Sequence, residues 1–298
     1  MHSRGAAVLI ALVALTGCHT PVTKSRMYLG PTEPMVDVVQ AINANTTQLP
    51  SIWSRGYFEA NVVDRGKSHF VNGDLLLLYR RPDDLRIVAK KDIAGTIFEI
   101  GSNPERYWLR IGVDIDTMWW GTHANAANVD PRTIPIPPAL MLEVLGVSSI
   151  DTNFRQPPAP VMRFNNDADA YMLLWSVPLP DRWVAQRDVW FDRQTKLPIK
   201  VLLYDANGRV VLLADLSAHK PVEVEGVPPE RWPKVATRYK LYFPDSDTSV
   251  TFELDRPMLK NGAAPNDRSF AFPEEGGGAN QIISVDEPAP HAQPASPR

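Results

Sequence analysis

The spacing of apolar residues changes once along the chain, from a helical period to a strand period. Between residues 34 and 48 the apolar residues Met35, Val38 and Ile42 recur every three or four positions, which is typical of an amphipathic helix. Pro34 suits the first helical position, because the N–H group that proline lacks would have no partner there. We therefore predict a helix over residues 34–48.

Beyond this helix, apolar and polar residues alternate in short runs separated by Gly, Pro, Asn or Asp. Such runs are typical of antiparallel strands joined by turns. A second, short helix is predicted over Pro138–Leu145, where Leu140, Met141 and Val144 share one face. The predicted strands cover residues 53–63, 69–80, 85–91, 96–101, 106–115, 116–122, 161–164, 170–177, 185–192, 199–205, 209–216, 235–243 and 249–254, with 269–272 as a further candidate.

This order of elements predicts a mostly β fold of the α+β class. It is neither the strand–helix alternation of a parallel sheet nor a short internal repeat. One large antiparallel sheet fits best, curled so that its concave face packs on the helices. The runs 75–79 and 210–213 are apolar at every position, which predicts that both faces of the sheet are covered there.

The N-terminal residues follow a different pattern. Arg4 precedes the apolar run Ala6–Leu15, which is too short to span a bilayer but fits the hydrophobic region of a signal peptide. The residues that follow, Leu15-Thr16-Gly17-Cys18, resemble the lipobox of bacterial lipoproteins. That resemblance implies cleavage before Cys18 and acylation of its thiol, and two or three acyl chains would anchor the protein firmly to a membrane. The alternative is an ordinary signal peptide with a chance cysteine.

These patterns divide the chain into four segments. Residues 1–17 are the predicted signal peptide, 18–30 a polar tether and 31–273 the folded domain. Residues 274–298 are rich in glycine and then in proline and form a mostly disordered tail, with an edge strand as a candidate at 281–285. His19 stands where an aspartate would favour retention of a bacterial lipoprotein in the inner membrane, so we expect an outer-membrane anchor facing the periplasm.

The net charge and the cysteine content exclude further classes of partner and site. The chain has 31 Lys+Arg against 34 Asp+Glu, a net charge of −3, and a dedicated nucleic-acid binder needs a positive field. We therefore expect no nucleic-acid partner. Cys18 is the only cysteine, which excludes an internal disulfide framework and a cysteine-cluster zinc site.

Catalytic signatures are missing from the sequence. The nucleophile motif G-x-S-x-G does not occur. The phosphate-binding motif G-x-x-x-x-G-K-[ST] does not occur either, and no G-x-G-x-x-G follows a predicted strand. The histidines share no i, i+4 spacing, so His69 and His123 are interpreted as structural or exposed residues. We predict no enzymatic activity, no metal and no cofactor. An envelope hydrolase whose catalytic site has no recognisable motif is kept as an alternative hypothesis, behind the two binding hypotheses given below.

Three aspartate pairs are spaced by two residues, which places both carboxylates of a pair on one strand face, where they could bind Ca²⁺ or act as acid and base. All three lie beside turn-forming residues, and we interpret them as turn aspartates that bond to the local backbone. The pairs are Asp114/Asp116, Asp167/Asp169 and Asp245/Asp247.

Several local patterns follow one another between about residues 34 and 273. They are the first helix leading into 53–58, the hairpin Gly73–Arg86, the turn and aromatic strand Gly101–Ile111, and the late hairpin 188–208 with Leu197-Pro198 and Asp205-Ala206-Asn207-Gly208. Together these patterns resemble the LolA/LolB-type lipoprotein-carrier superfamily. The chain departs from the family in its proline-rich insertions and in the polar turn 64–67, where the LolB-type acceptor has an apolar loop.

The resemblance implies a half-open antiparallel barrel closed by helices, with an interior that suits acyl chains. It therefore implies a non-enzymatic protein that binds lipid or the acyl chains of a lipoprotein, while a sensing or protein-interaction module on the same fold is the second hypothesis. Trp119 and Trp120 are adjacent and must face opposite sides of a strand. The residues that we expect to line the apolar site are Trp53, Phe58, Leu76, Leu78, Trp108, Trp119 and Trp175.

Overall fold

A computed structural model describes residues 27–64, 66–91, 95–112, 116–128, 140–259 and 264–286. It contains the helices α1 (Met35–Thr47) and α2 (Met141–Leu145) and several short 3-10 helices. The strands are β1 (Ser51–Asp64), β2 (Lys67–Arg80), β3 (Asp84–Lys91), β4 (Gly95–Ser102), β5 (Arg106–Ile111), β6 (Thr117–Thr122), β7 (Pro160–Asn165), β8 (Ala170–Pro178), β9 (Trp183–Asp192), β10 (Pro198–Tyr204), β11 (Val210–Ser217), β12 (Lys220–Pro221), β13 (Lys234–Val235), β14 (Arg238–Phe243), β15 (Thr248–Leu254) and β16 (Gln281–Ser284).

Fourteen strands form one curled sheet in the order β16-β6-β5-β4-β3-β2-β1-β15-β14-β11-β10-β9-β8-β7. Neighbouring strands are antiparallel except β16, which runs parallel to β6. The terminal strands β16 and β7 are not paired with each other, so the sheet is a half-open barrel, and the predicted fold class is confirmed. β12 and β13 form a separate two-stranded sheet.

Most predicted elements are present with small shifts of their ends. Pro34 is the N-cap of α1 rather than its first helical residue, and its carbonyl accepts the N–H of Val38. The strand predicted at 235–243 is split, because Lys234–Val235 pairs with β12 in a separate small sheet, whereas Arg238–Phe243 pairs with β11 and β15. The candidate strand 269–272 is wrong, since Asp267–Phe270 is a 3-10 helix capped by Asn266.

The predicted signal peptide and Cys18 lie outside the described residues, as do Asp114, the start of the second predicted helix and residues 287–298. The C-terminal segment that is described, 264–286, packs along the sheet and ends in β16, close to the candidate edge strand. No helix among the described residues is long and apolar enough to cross a membrane.

The main core lies on the concave face of the sheet. Alternate residues of the strands point inward and pack with Val38, Val39 and Ile42 of α1 and with Met141 and Val144 of α2. The two ends of α1 are held at the same edge of the sheet. Near its start, Glu33 pairs with Lys196 beside β10, and near its end the Thr47 carbonyl accepts a hydrogen bond from Arg81 beside β2. The helix therefore lies across one opening of the half-barrel.

A second apolar layer lies on the convex face. There Leu78, Val88, Trp108 and Met118 are buried on the side opposite the main core, where Phe272 of segment 264–286 meets the Trp108 ring. We call this segment the C-terminal strap. It explains why both faces of β2 are covered, as predicted, whereas the convex side of β11 at Leu213 stays half-buried.

Candidate functional site

Three of the predicted site residues lie on the concave face. Phe58 and Trp175 are buried in the main core, and the Phe58 ring meets Phe98 edge to face with centroids 5.5 Å apart. Trp119 stands opposite Leu109 and packs against the same core. Large apolar side chains from both halves of the sheet therefore meet in the concave interior.

The other four predicted site residues lie on the convex face, and the prediction that they line the interior is corrected. Leu76 alternates with the core residues Leu75 and Leu77 of β2. Trp53 stands opposite Leu78, and this row continues across β3 and β4 to Trp108. Because strand side chains alternate between faces, a register error of one residue inverts such an assignment.

The C-terminal strap turns the convex row into a closed aromatic cluster. The Trp108 ring is edge-on to Phe272 at 5.6 Å, and its indole Nε1 donates to Glu99 Oε1 at 3.1 Å. Trp120 lies 5.5 Å from the same Phe272 ring, with the Arg106 guanidinium 5.2 Å from the Trp120 ring. Trp119 and Trp120 thus face opposite sides, and each side is covered.

Helix α1 is fastened over the concave interior by a small set of polar contacts. The Asn43 amide forms a reciprocal pair with the Ile150 backbone, Nδ2 to O and N to Oδ1, both at 2.8 Å. Thr46 Oγ1 lies 3.1 Å from Ser149 Oγ. Asn45 makes a second reciprocal pair with the Lys234 backbone at 2.9 and 2.7 Å. We call these contacts the α1 latch.

One ion pair lies inside the apolar interior. Glu143 of α2 reaches toward Arg187 of β9, with Oε1 3.5 Å from Nε, and the Arg187 guanidinium stacks 4.4 Å from the Trp175 ring centroid. Burial raises the pKa of Glu143 although Arg187 opposes the shift, and burial lowers the pKa of Arg187. Removal from water, more than mutual attraction, therefore dominates both groups.

A groove of about 610 Å³ lies on the outer side of the α1 latch. The groove is open to solvent, and its walls mix apolar residues with amides and hydroxyls. The lining residues are Val36, Gln40, Asn43, Ala44, Thr47, Thr152 and Phe154. Asn43 belongs to both the groove and the latch, so the groove lies directly outside the place where α1 closes the interior.

The residues considered for catalysis have structural environments. His123 Nε2 is 2.9 Å from Asn103 O and 3.1 Å from Ser102 Oγ. Asp116, Asp169 and Asp247 have positive φ angles, as expected of the turn aspartates interpreted from sequence. Within the described ranges, no group of three His, Cys, Asp or Glu side chains could hold a metal ion.

Sequence reasoning missed Glu143, Arg187 and the latch amide Asn43. Glu143 is the one charged residue of the short apolar helix Met141–Leu145. A charged residue in such a helix indicates that an oppositely charged partner lies nearby in the fold. Nothing in the sequence near Asn43 indicated Ile150 as its partner, because the two are far apart along the chain.

Comparisons with known proteins support the fold alone. No family model matches the chain, and no curated protein matches it. The chain is similar to the solved structure of a DUF1329 family protein from Desulfovibrio piger, at 10% identity over 79% of this chain and 95% of that chain, with a TM-score of 0.50. It is also similar to a LolA superfamily protein from Nitrosomonas europaea, at 12% identity over 79% and 96%, with a TM-score of 0.48. The likeness to the Desulfovibrio piger structure concerns the fold and agrees with the expected half-open antiparallel barrel.

Proposed function

We propose that this chain is a non-enzymatic, lipid-anchored protein of the cell envelope that binds acyl chains on the concave side of its sheet. The acyl chains belong to a lipid or a lipoprotein, and the acylated Cys18 holds the protein on the outer membrane, facing the periplasm. The observation that carries this proposal is a continuous apolar concave face closed by separate covering helices.

The lining of the interior fits an apolar ligand. Apart from the Glu143–Arg187 pair, the strand residues facing α1 and α2 are mainly aliphatic and aromatic. An acyl chain needs no hydrogen-bond partner, and its binding gains about 0.8 kcal/mol for each buried methylene. Such a ligand can replace the apolar contacts of Val38, Val39 and Ile42 with the sheet.

The covering helix is fastened in a way that allows displacement. Each hydrogen bond of the α1 latch contributes only about 0.5–1.5 kcal/mol net, because water replaces it when the helix moves. The groove outside Asn43 then leads inward, and we propose it as the route of access. Asn43→Ala, which removes one reciprocal pair, should speed the binding of a fluorescent fatty acid.

Two tryptophans on adjacent strands provide the test of the binding site. Trp175 faces the concave core, whereas Trp190 of β9 faces the convex side beside Lys200. Fluorescent fatty-acid affinity and the denaturation midpoint are measured for both alanine variants in an unacylated Cys18→Ser background. We expect Trp175→Ala to weaken fatty-acid binding and Trp190→Ala to leave it unchanged.

Absence of fatty-acid binding by the folded parent protein would overturn the proposal and favour the interaction-module hypothesis. Lipid extraction followed by mass spectrometry of the purified protein identifies the natural ligand. The anchor has its own test, since a clickable fatty acid should label the parent chain and not Cys18→Ser.

A further inference from the structure

The last residues of the predicted tether are docked on one edge of the sheet. The Tyr28 N–H donates to Asn166 O at 3.2 Å, and its ring meets Phe164 edge-on at 5.7 Å. The Arg193 guanidinium lies 3.7 Å from the Tyr28 ring centroid. Five residues later, Glu33 Oε1 is 2.5 Å from Lys196 Nζ. The point where the described chain begins is therefore fixed on the fold.

This docking point defines two opposite rims of the sheet. The anchor-side rim contains the β7–β8 turn and the β9–β10 turn, where Asn166 and Arg193 lie. Strand β9 runs from Trp183 to Asp192, so Trp183 is about 30 Å from the anchor-side rim at a rise of about 3.3 Å per residue. Antiparallel pairing through β10, β11, β14 and β15 to β1 brings the tip of the β1–β2 hairpin to the same side as Trp183. We call that side the far rim.

The chain between Cys18 and the docked residue Tyr28 limits how the protein can be oriented on a membrane. In an inverted orientation the far rim would touch the bilayer, and this short chain would have to span the distance from the bilayer to Tyr28. Met27 follows Cys18 by nine positions, and nine residues span at most roughly 30 Å however they are arranged. Strands β1 and β2 have 14 residues each, so the tip of their hairpin lies about 45 Å from the anchor-side rim. An acylated Cys18 therefore excludes an orientation in which the protein stands on the tip of the β1–β2 hairpin.

Exposed apolar side chains occur at both rims, for example Phe70 and Trp183 at the far rim, but only those at the anchor-side rim adjoin the predicted anchor in the sequence. Met27, Leu29 and Val36 are all exposed, and they lie within ten positions, from the last residues of the predicted tether to the first turn of α1. Leu29 has the largest exposed fraction, 79%, among the large hydrophobic residues that the structure describes. Isolated exposed leucines are common, but several on the segment nearest a lipid anchor form a surface suited to the interfacial region of a bilayer.

We infer that the anchor-side rim lies against the bilayer, with Met27, Leu29 and Val36 in contact with its interfacial region. The inference rests on the lipid anchor of the proposed function and deepens it. Because α1 crosses the opening at this rim, its exposed residue Val36 and the adjacent groove face the membrane. Acyl chains then pass between bilayer and protein without crossing bulk water.

The orientation is measured with single fluorescent labels on the acylated protein in phosphatidylethanolamine–phosphatidylglycerol vesicles. Acylation blocks the thiol of Cys18, the only natural cysteine, so an introduced cysteine is the sole labelling site. Leu29→Cys and Gln194→Cys report on the anchor-side rim. Trp183→Cys, at a position 62% exposed, and Phe70→Cys report on the far rim. Spin-labelled lipid in the vesicles quenches a label that contacts the bilayer.

We expect quenching to be strongest at Leu29, weaker at Gln194 and absent at Trp183 and Phe70. Vesicle flotation separates the two hypotheses. Protein that floats but is quenched at the far rim, or equally at all four positions, overturns the orientation and leaves the anchor intact. Protein that does not float overturns both the anchor and the orientation.

Discussion

The two faces of the sheet are covered by different means. On the concave face, α1 and α2 contribute aliphatic side chains, and α1 is fastened by amide and hydroxyl contacts such as the Asn43–Ile150 pair. On the convex face, the C-terminal strap inserts Phe270 and Phe272 among arginines and tryptophans and then joins the sheet as β16.

This difference separates a removable cover from a permanent one. The strap is bonded to the sheet by backbone hydrogen bonds, since β16 pairs with β6 and the Val285 N–H donates to Trp120 O at 2.9 Å. The helices of the concave face add no strand to the sheet and contact it mainly through side chains. We therefore expect changes on the concave face to alter ligand binding, and changes under the strap to alter stability alone.

The largest expected effects come from one aromatic residue on each face. Phe58 on the concave side and Trp108 on the convex side are both fully buried, at 0% exposure. Truncation of either to alanine should lower the free energy of unfolding by about 3–5 kcal/mol. Only Phe58→Ala should also weaken fatty-acid binding, measured on the fraction that remains folded. Equal loss of binding in Trp108→Ala would remove the distinction between the faces.

The next effect concerns the ion pair of the concave interior. Arg187→Met leaves Glu143 buried without its partner, which should cost up to about 3 kcal/mol of stability, since both side chains keep slight exposure. The double variant Glu143→Leu/Arg187→Met should recover most of that loss. Chemical denaturation of the four proteins of this cycle gives the coupling energy. If the double variant were as unstable as Arg187→Met alone, the loss would come from the missing stacking of Arg187 on Trp175 and not from the unpaired charge of Glu143.

The same comparison shows what the sequence could predict. Strand positions and the fold class followed from the period-two pattern and the turns, because these signals are local. The face of each residue did not follow, since Trp53, Leu78 and Trp108 share a row only through pairing of four strands. In β2, residues 75–79 are apolar on both faces, so the pattern gave no means of deciding which face was concave.

A smaller effect should appear as a dependence on pH. Burial raises the pKa of Glu143 in the folded protein, so the folded state binds this proton more tightly than the unfolded state does. Its contribution to stability is fully present below the ordinary glutamate pKa and is lost as the pH rises through the raised folded value. The stability of the parent protein relative to Glu143→Gln should therefore increase as the pH falls from neutral.

Measuring that difference also removes the opposing effect of His219. Burial lowers the pKa of the His219 imidazole, and stability from this group is lost as the pH falls below the ordinary histidine value. Both proteins contain His219, so its contribution cancels. A difference that shrinks on acidification would show that attraction to Arg187 outweighs the burial of Glu143.

The smallest effect is expected from the charges of the C-terminal strap. Asp267 lies 2.6 Å from Arg80, and Glu274 lies 3.5 Å from Arg106, but their side chains are 93% and 77% exposed. Ion pairs in such positions contribute about 0–1 kcal/mol each, because water and salt screen them. The double variant Asp267→Asn/Glu274→Gln should therefore unfold at nearly the same denaturant concentration as the parent, and the remaining difference should vanish in high salt.

Phe270→Ala is the matched control in the same segment, since it removes the buried ring and should lower the free energy of unfolding by about 3–5 kcal/mol. If the charge variant were the more damaged of the two, the strap would be held by electrostatics and could be released by salt, and the convex cover would then be as removable as the concave one.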